Sequence, residues 1–277
     1  MFNWFLKEKP IFTGLKFGFG GGGGSVPTPF SVEYLVAAGG GGGGRITSSY
    51  TSGGGAGGLL TNSSFGVSTL VDYPIVIGSG GAYGNPGTNG NNSVFHNITA
   101  VGGGGGAIDP SPTPTAGNPG GSGGGGAQGG SGGTGVPGQG NPGGGSLNGT
   151  SSGGGGGGAA SAGTSSGNNF TAGNGGDGLQ SSITGTSVYY SAGGAGSAPS
   201  FPMFGSPGTG WVASSNTGHG GRADGNGQSG VIILKIPERY SAIFSPGVGS
   251  NLSLSVPGYK IYTITSTSTI LETVKFT

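Results

Sequence analysis

The chain has 277 residues, nine basic and eight acidic, with a formal net charge of +1. Only 6% of its positions are charged, so it has no field with which to steer nucleic acid or insert at an anionic bilayer, and the absence of cysteine excludes disulfides. Glycine occupies 76 positions; it loses more backbone entropy on folding than any other residue, which argues against a globular enzyme, while 13 Phe and nine Tyr argue against disorder.

Residues 1–29 form a hydrophobic head. Phe2, Trp4, Phe5 and Leu6 precede Lys7-Glu8-Lys9-Pro10, and Phe12 follows. No basic n-region opens this segment and its apolar stretch ends at Lys7, so it reads as neither a signal peptide nor a membrane span. So many aromatics in so short a stretch need a surface to bury them. Two readings stand: the head folds back onto its own domain, or it docks on another protein.

From 30 to 237 the chain alternates strand signals with glycine-rich tracts. The strand candidates are Val32–Ala37, Leu70–Ile77, Val94–Val101, Leu179–Tyr190 and Val231–Ile236, rich in β-branched and aromatic residues and bounded by turn formers. No helical periodicity of useful length occurs. The glycine runs Gly39–Gly44, Gly102–Gly106, Gly123–Gly126 and Gly153–Gly158 are homopolymeric and irregularly spaced. Collagen, which needs glycine strictly every third residue, is thereby excluded. A flexible linker remains possible. The favoured reading is a bundle of threefold polyglycine-II helices, close enough for neighbours to exchange N–H···O=C bonds because no Cβ intervenes. Arg45–Ser52, Ile108–Thr115, Ser146–Ser152, Ala198–Pro207 and Trp211–Asn216 then fall at turns, at one end or the other, where recognition generally lives.

Beyond Pro237 the composition changes. Residues 238–277 hold three glycines and read as strands over Ser241–Phe244, Leu252–Val256, Tyr259–Thr265 and Ile270–Phe276. Tyr259-Lys-Ile-Tyr-Thr-Ile-Thr alternates with period two, giving one buried and one wet face. The expected fold is mainly β, with a glycine-helix bundle, a small C-terminal antiparallel module and essentially no α-helix. Such a module is marginal alone and must pair with the preceding domain or a copy of itself.

Familiar chemical motifs fail on context. Gly18-x-Gly20-x-x-Gly23 lacks the helix and later acid of a dinucleotide site. Gly-x-Ser-x-Gly occurs at Ser122 and Ser131, but both serines sit in glycine, without the strand and helix of a nucleophile elbow. The segment 173–179 approaches a calcium nonapeptide around Asp177, with Ala172 in place of its first glycine and no second copy. His96 and His219 lack clustered ligand partners and read as loop or strand polar residues. Neither a metal nor a cofactor is expected.

The segments FSVEYLVAAGGGGGG, YPIVIGSGG, SSITGTSVYYSAGGAG and GQSGVIILKIP resemble the glycine-rich tail and fibre proteins of tailed bacteriophages. The closing PGYKIYTITSTSTILETVKF resembles a β module that accompanies them. More loosely, the alternation of glycine runs with loops is similar to the distal adhesin of T-even-type long tail fibres, in which a polyglycine brick presents tip loops to the host surface. The resemblance implies a non-enzymatic virion tail appendage for host attachment. The alternatives are a purely structural tail or capsid-decorating subunit and, more remotely, a polysaccharide depolymerase. Its implied partners are other virion tail proteins, a bacterial surface receptor of protein or glycan, and a second copy of the chain.

Two sets of residues follow from that reading. Phe2, Trp4, Phe5 and Phe12 are candidates for docking to the virion. Tyr50, Phe201, Phe204 and Trp211 are candidate receptor contacts, since aromatics combine large contact area with little entropy loss and stack on sugar rings. Phe201 and Phe204 read equally well as packing under their own proline-rich loop. Gly39, Gly44, Gly102, Gly106, Gly153 and Gly158 bound the scaffold runs.

Overall fold

The computed structural model describes residues 26–44, 52–108, 115–147, 152–167, 171–198, 203–213 and 216–277. The expected docking residues Phe2, Trp4, Phe5 and Phe12, and the candidates Tyr50 and Phe201, lie outside them. The described residues form strands and glycine-rich runs, with no helix.

The strands are β1 (Pro29–Ala37), β2 (Leu59–Ser68), β3 (Asp72–Val76), β4 (Ser93–Phe95), β5 (Ile98–Ala100), β6 (Leu179–Ser181), β7 (Val188–Tyr190), β8 (Ser197–Ala198), β9 (Met203–Phe204), β10 (Val231–Pro237), β11 (Ala242–Phe244), β12 (Val248–Ser253), β13 (Tyr259–Thr267) and β14 (Thr273–Phe276). One five-stranded sheet runs β12-β13-β10-β1-β2 and a second β11-β14-β3-β4-β5, with every named pairing antiparallel. The two sheets pack through alternate side chains. Phe30, Val32, Tyr34 and Val36 of β1 meet Tyr73, Ile75, Phe95, Val274 and Phe276, and the other faces of β1 and β10 bury Leu35, Val231 and Ile233 against Ile183 and Tyr190 of the β6–β7 region. Burial on both faces explains why β10 reads as the unbroken apolar run Val-Ile-Ile-Leu. Residues 238–277 supply β11 to β14, and β13 pairs with β10 while β14 pairs with β3. The core therefore runs across position 237.

Several strand expectations change, among them Leu252–Val256, whose strand lies instead at Val248–Ser253. Leu179–Tyr190 is a hairpin, as is Val94–Val101 with His96 at its turn (φ 55°). Strand β2 was not expected: Leu-Leu-Thr-Asn-Ser-Ser-Phe-Gly-Val-Ser is polar along its middle because β2 is an edge strand exposed there.

Strands β1, β3, β5 and β7 each lead into a glycine-rich run, and β2, β4, β6 and β10 each follow one. Hydrogen bonding along 39–44 repeats in threes. Gly39 and Gly42 donate to the carbonyls of Asn91 and Thr88, Gly40 and Gly43 to Gln228 and Gly225, and Gly41 and Gly44 to Gly55 and Ser52, at 2.8–3.1 Å. Carbonyls of the same run accept from Gly103 and Gly106, from Gly81 and Gly84, and from Gly221. Donor-side neighbours run antiparallel and acceptor-side neighbours parallel, so this run has a hydrogen-bonded neighbour on each of six sides. In 153–158 the donors likewise turn through three partners: Ser197 and Gly194, Gly126 and Gly123, Thr164 and Ser161. A Cβ on Gly40, Gly41 or Gly42 would come within 3.0 Å of the backbone of His219, Gly104 or Ala82 respectively. Glycine is required here by close approach, not by a turn.

Where a run meets solvent, side chains spaced three apart replace the missing backbone. Asn92 and Asn89 accept through Oδ1 from Gly102 and Gly105 at 2.9 Å, Asn174 and Asp177 from Ser206 and Thr209, and Thr164 and Ser161 from Asn174 and Asp177. Replacing Asn89 by alanine strands the Gly105 amide and is expected to cost about 1 kcal/mol, measured as a shift of the urea midpoint.

Candidate functional site

The hydrogen-bond register gives the molecule two distinct ends. At the end remote from the sheets, lateral bonds link Gly44 to Ser52, Ser52 to Gly126, Thr115 to Ala127, Ser146 and Ser166 to Ser152, and Gly153 to Ser197. These residues flank the segments 45–51, 109–114, 148–151, 168–170 and 199–202, which lie outside the described residues. Four of the five expected loops are thus flanked by residues at a single end of the glycine-rich runs. Trp211–Asn216 departs from the other, where the bundle meets the sheets, beside Thr217 and Ser191. At the far pole of the sheets β1 begins next to Thr69, and Thr277 bonds to Ser241.

Phe204 and Trp211 come together around one cation. The Arg222 guanidinium carbon lies 4.5 Å from the Phe204 ring centroid and 6.0 Å from that of Trp211. All three side chains are half-buried. Trp211 is fixed by Nε1 donating to the Gly220 carbonyl at 2.8 Å, with the His219 ring 6.5 Å away. Phe204 is fixed by the β8–β9 pairing, opposite Ser197. Arg222 Nε is buried and donates to nothing. The cation and its aromatic walls come from three separate segments, which is why sequence alone yields the two rings and not their meeting point.

His219 lies in irregular backbone between β9 and β10. It is fully buried among glycine-rich runs. Its Nδ1 accepts from the Ala192 amide at 2.9 Å, so the proton resides on Nε2, which has no acceptor. Burial pushes its pKa down to about 4.

Asp177 is engaged by its own chain: Oδ1 accepts from the Thr209 amide at 2.7 Å and Oδ2 from Ser161 Oγ at 3.3 Å. The Thr209 contacts hold its carboxyl below the usual carboxylate range. No group of three or more His, Cys, Asp or Glu side chains suited to a metal occurs among the described residues. Ser122 is buried with its Oγ unpartnered, out of a substrate's reach. An open groove lined by Val76–Ser79, Gly90–Asn92, Val94 and Thr267–Ile270 carries no acid, base or imidazole.

A family model described as a glycine-rich domain matches residues 25–237, more than half of the chain. Neither a curated protein nor a solved structure matches it.

Proposed function

The chain belongs to the glycine-rich domain family, and from that premise we propose that it is a loop-bearing scaffold: a non-enzymatic virion tail appendage, of tail-fibre or adhesin type, that attaches the particle to the host surface. The glycine runs are read as polyglycine-II helices, which have three residues per turn and no internal hydrogen bonds. Partners that recur every third residue along 39–44 and 153–158 support this.

One observation carries the attachment reading. Five segments leave the glycine bundle at the end remote from the sheets, while β1 begins at the opposite pole. An appendage needs that division, with recognition at one end and anchorage at the other. A rigid bundle also presents its loops with little ordering cost on binding. The candidates Phe2, Trp4, Phe5 and Phe12 precede β1 in sequence.

Two measurements test the proposal. Purified protein is expected to bind host cells and to be displaced by excess virions, and host-range escape substitutions are expected in 45–51, 109–114, 148–151, 168–170 or 199–202. Incorporation into particles without cell binding assigns a structural subunit instead, and release of sugar from host polysaccharide assigns an enzyme. Deleting residues 1–24 is expected to leave a folded protein that no longer joins particles. Aggregation of the truncated chain would mean that the head belongs to the fold.

A further inference from the structure

We propose that Arg222, walled by Phe204 and Trp211, is a binding site for a carboxylate-bearing sugar such as a hexuronate or a sialate. The inference deepens the attachment reading, on which it rests, by naming the ligand class.

The argument begins with an unused cation. The two ion pairs found among the described residues are Lys235–Glu33 and Lys275–Asp72, and Arg222 takes part in neither. Its buried Nε has no acceptor. Asp224, two residues away, is exposed and does not pair with it, and Asp177, which reaches the same segment, is occupied by Thr209 and Ser161. A partly desolvated charge with aromatic faces but no counter-ion among the described residues is only partly offset within the fold.

Geometry gives the site its selectivity. A guanidinium presents its N–H donors in a planar fork that matches a carboxylate bidentately. Aromatic side chains leave those in-plane donors free while interacting with the cation through the ring face. The same rings offer apolar surface to the C–H face of a pyranose. Trp211 is held by Gly220 and Phe204 by its strand pairing, so the site is formed before any ligand arrives. A charged fork between two fixed rings suits a ligand that is at once a ring and an anion.

The test uses the full chain with glycosides of glucuronate, galacturonate and N-acetylneuraminate, their methyl esters as neutral counterparts, and inorganic phosphate, by titration calorimetry and ligand-observed NMR. At least one acid is expected to bind, at least tenfold more tightly than its ester and more weakly as salt rises. Arg222→Gln is expected to weaken that binding at least tenfold, and Arg222→Lys, which keeps charge without the fork, to weaken it measurably. Thermal unfolding of both variants confirms that they are folded. Equal binding of acid and ester, undiminished binding by folded Arg222→Gln, or no binding of any acid overturns the assignment. Phosphate competing as well as the best acid shows an anion site without sugar selectivity and also overturns it. Cell attachment measured on the same variants separates the two ideas. If wild type and Arg222→Gln attach equally, the sugar site is lost and the attachment reading survives; if wild type never attaches, the attachment reading itself fails.

Discussion

Replacing Gly42 with alanine is expected to abolish folding or to lower stability by about 3 kcal/mol or more. Gly42 donates to Thr88 and its carbonyl accepts from Gly106, so the backbone is fixed on two sides. On a third side the new Cβ would overlap the Ala82 carbonyl, which belongs to another hydrogen-bonded run and cannot swing aside as a side chain does. Relief requires moving an entire run, with loss of several backbone hydrogen bonds. Domains of ordinary stability have about 5–15 kcal/mol in total, so the substitution removes a large share. Gly66, in edge strand β2, is the matched control: nothing lies within 4 Å of a Cβ built there. Gly66→Ala is expected to be neutral or to stabilise by up to about 1 kcal/mol through the unfolded state. Chemical denaturation of both variants checks the pair. Equal midpoints would show that the glycine run 39–44 yields freely to a methyl group.

The second large effect is a loss of stability on mild acidification, centred on His219. Its folded pKa is about 4, against about 6.5 in an unfolded chain. Between these values the unfolded state binds a proton that the folded state refuses, so stability falls as pH falls from about 6.5 to about 4 and the His219 contribution levels off below that. The full change is about 3 kcal/mol at 1.36 kcal/mol per unit. The cause is structural: protonating Nδ1 breaks its bond from the Ala192 amide and buries a charge among glycines. Asp177 and Glu272, whose carboxyls are lowered by hydrogen bonds from Thr209 and Ser245 respectively, destabilise in the same direction, but only as pH falls through the more acid carboxylate range. His219→Gln, whose amide oxygen can accept from Ala192, is expected to flatten the slope between pH 6.5 and 4 while leaving the steeper acid limb. An unchanged slope in that variant would remove His219 from the account.

Much of the sheet architecture was legible because its residues are patterned by burial. β1 alternates over its first half and β10 is continuously apolar because it is covered on both faces, whereas β13 departs from the expected single buried face, since Ile261 and Ile264 are buried on opposite sides. β2 was illegible because an edge strand exposed along its middle carries no apolar period. The hairpins at 94–101 and 179–190 were merged into single strands because their turns, at His96 and around Gly185, are short and flanked by β formers. Glycine at 39–44 signalled close approach of backbones, but not which segments approach, since partners such as Asn91 and Gln228 are far away in the chain. His219 and Arg222 were unreadable for the same reason. The spacing of Asn89 from Asn92, and of Ser161 from Thr164, was a usable signal: polar residues three apart beside a glycine tract accept from the amides of the neighbouring run.

Partners that recur every third residue constrain how such chains change in length. Inserting one residue after Gly41 would turn every later amide of that run toward the wrong neighbour, so Gly43 would face where Gly44 had faced, toward Ser52, and its donor would miss Gly225. Inserting three restores each amide to its own side, one turn further along, and lengthens the run without rotating it. Insertions and deletions inside the runs should therefore accumulate in multiples of three residues. The rule holds for runs whose partners repeat in threes, as in 39–44 and 153–158.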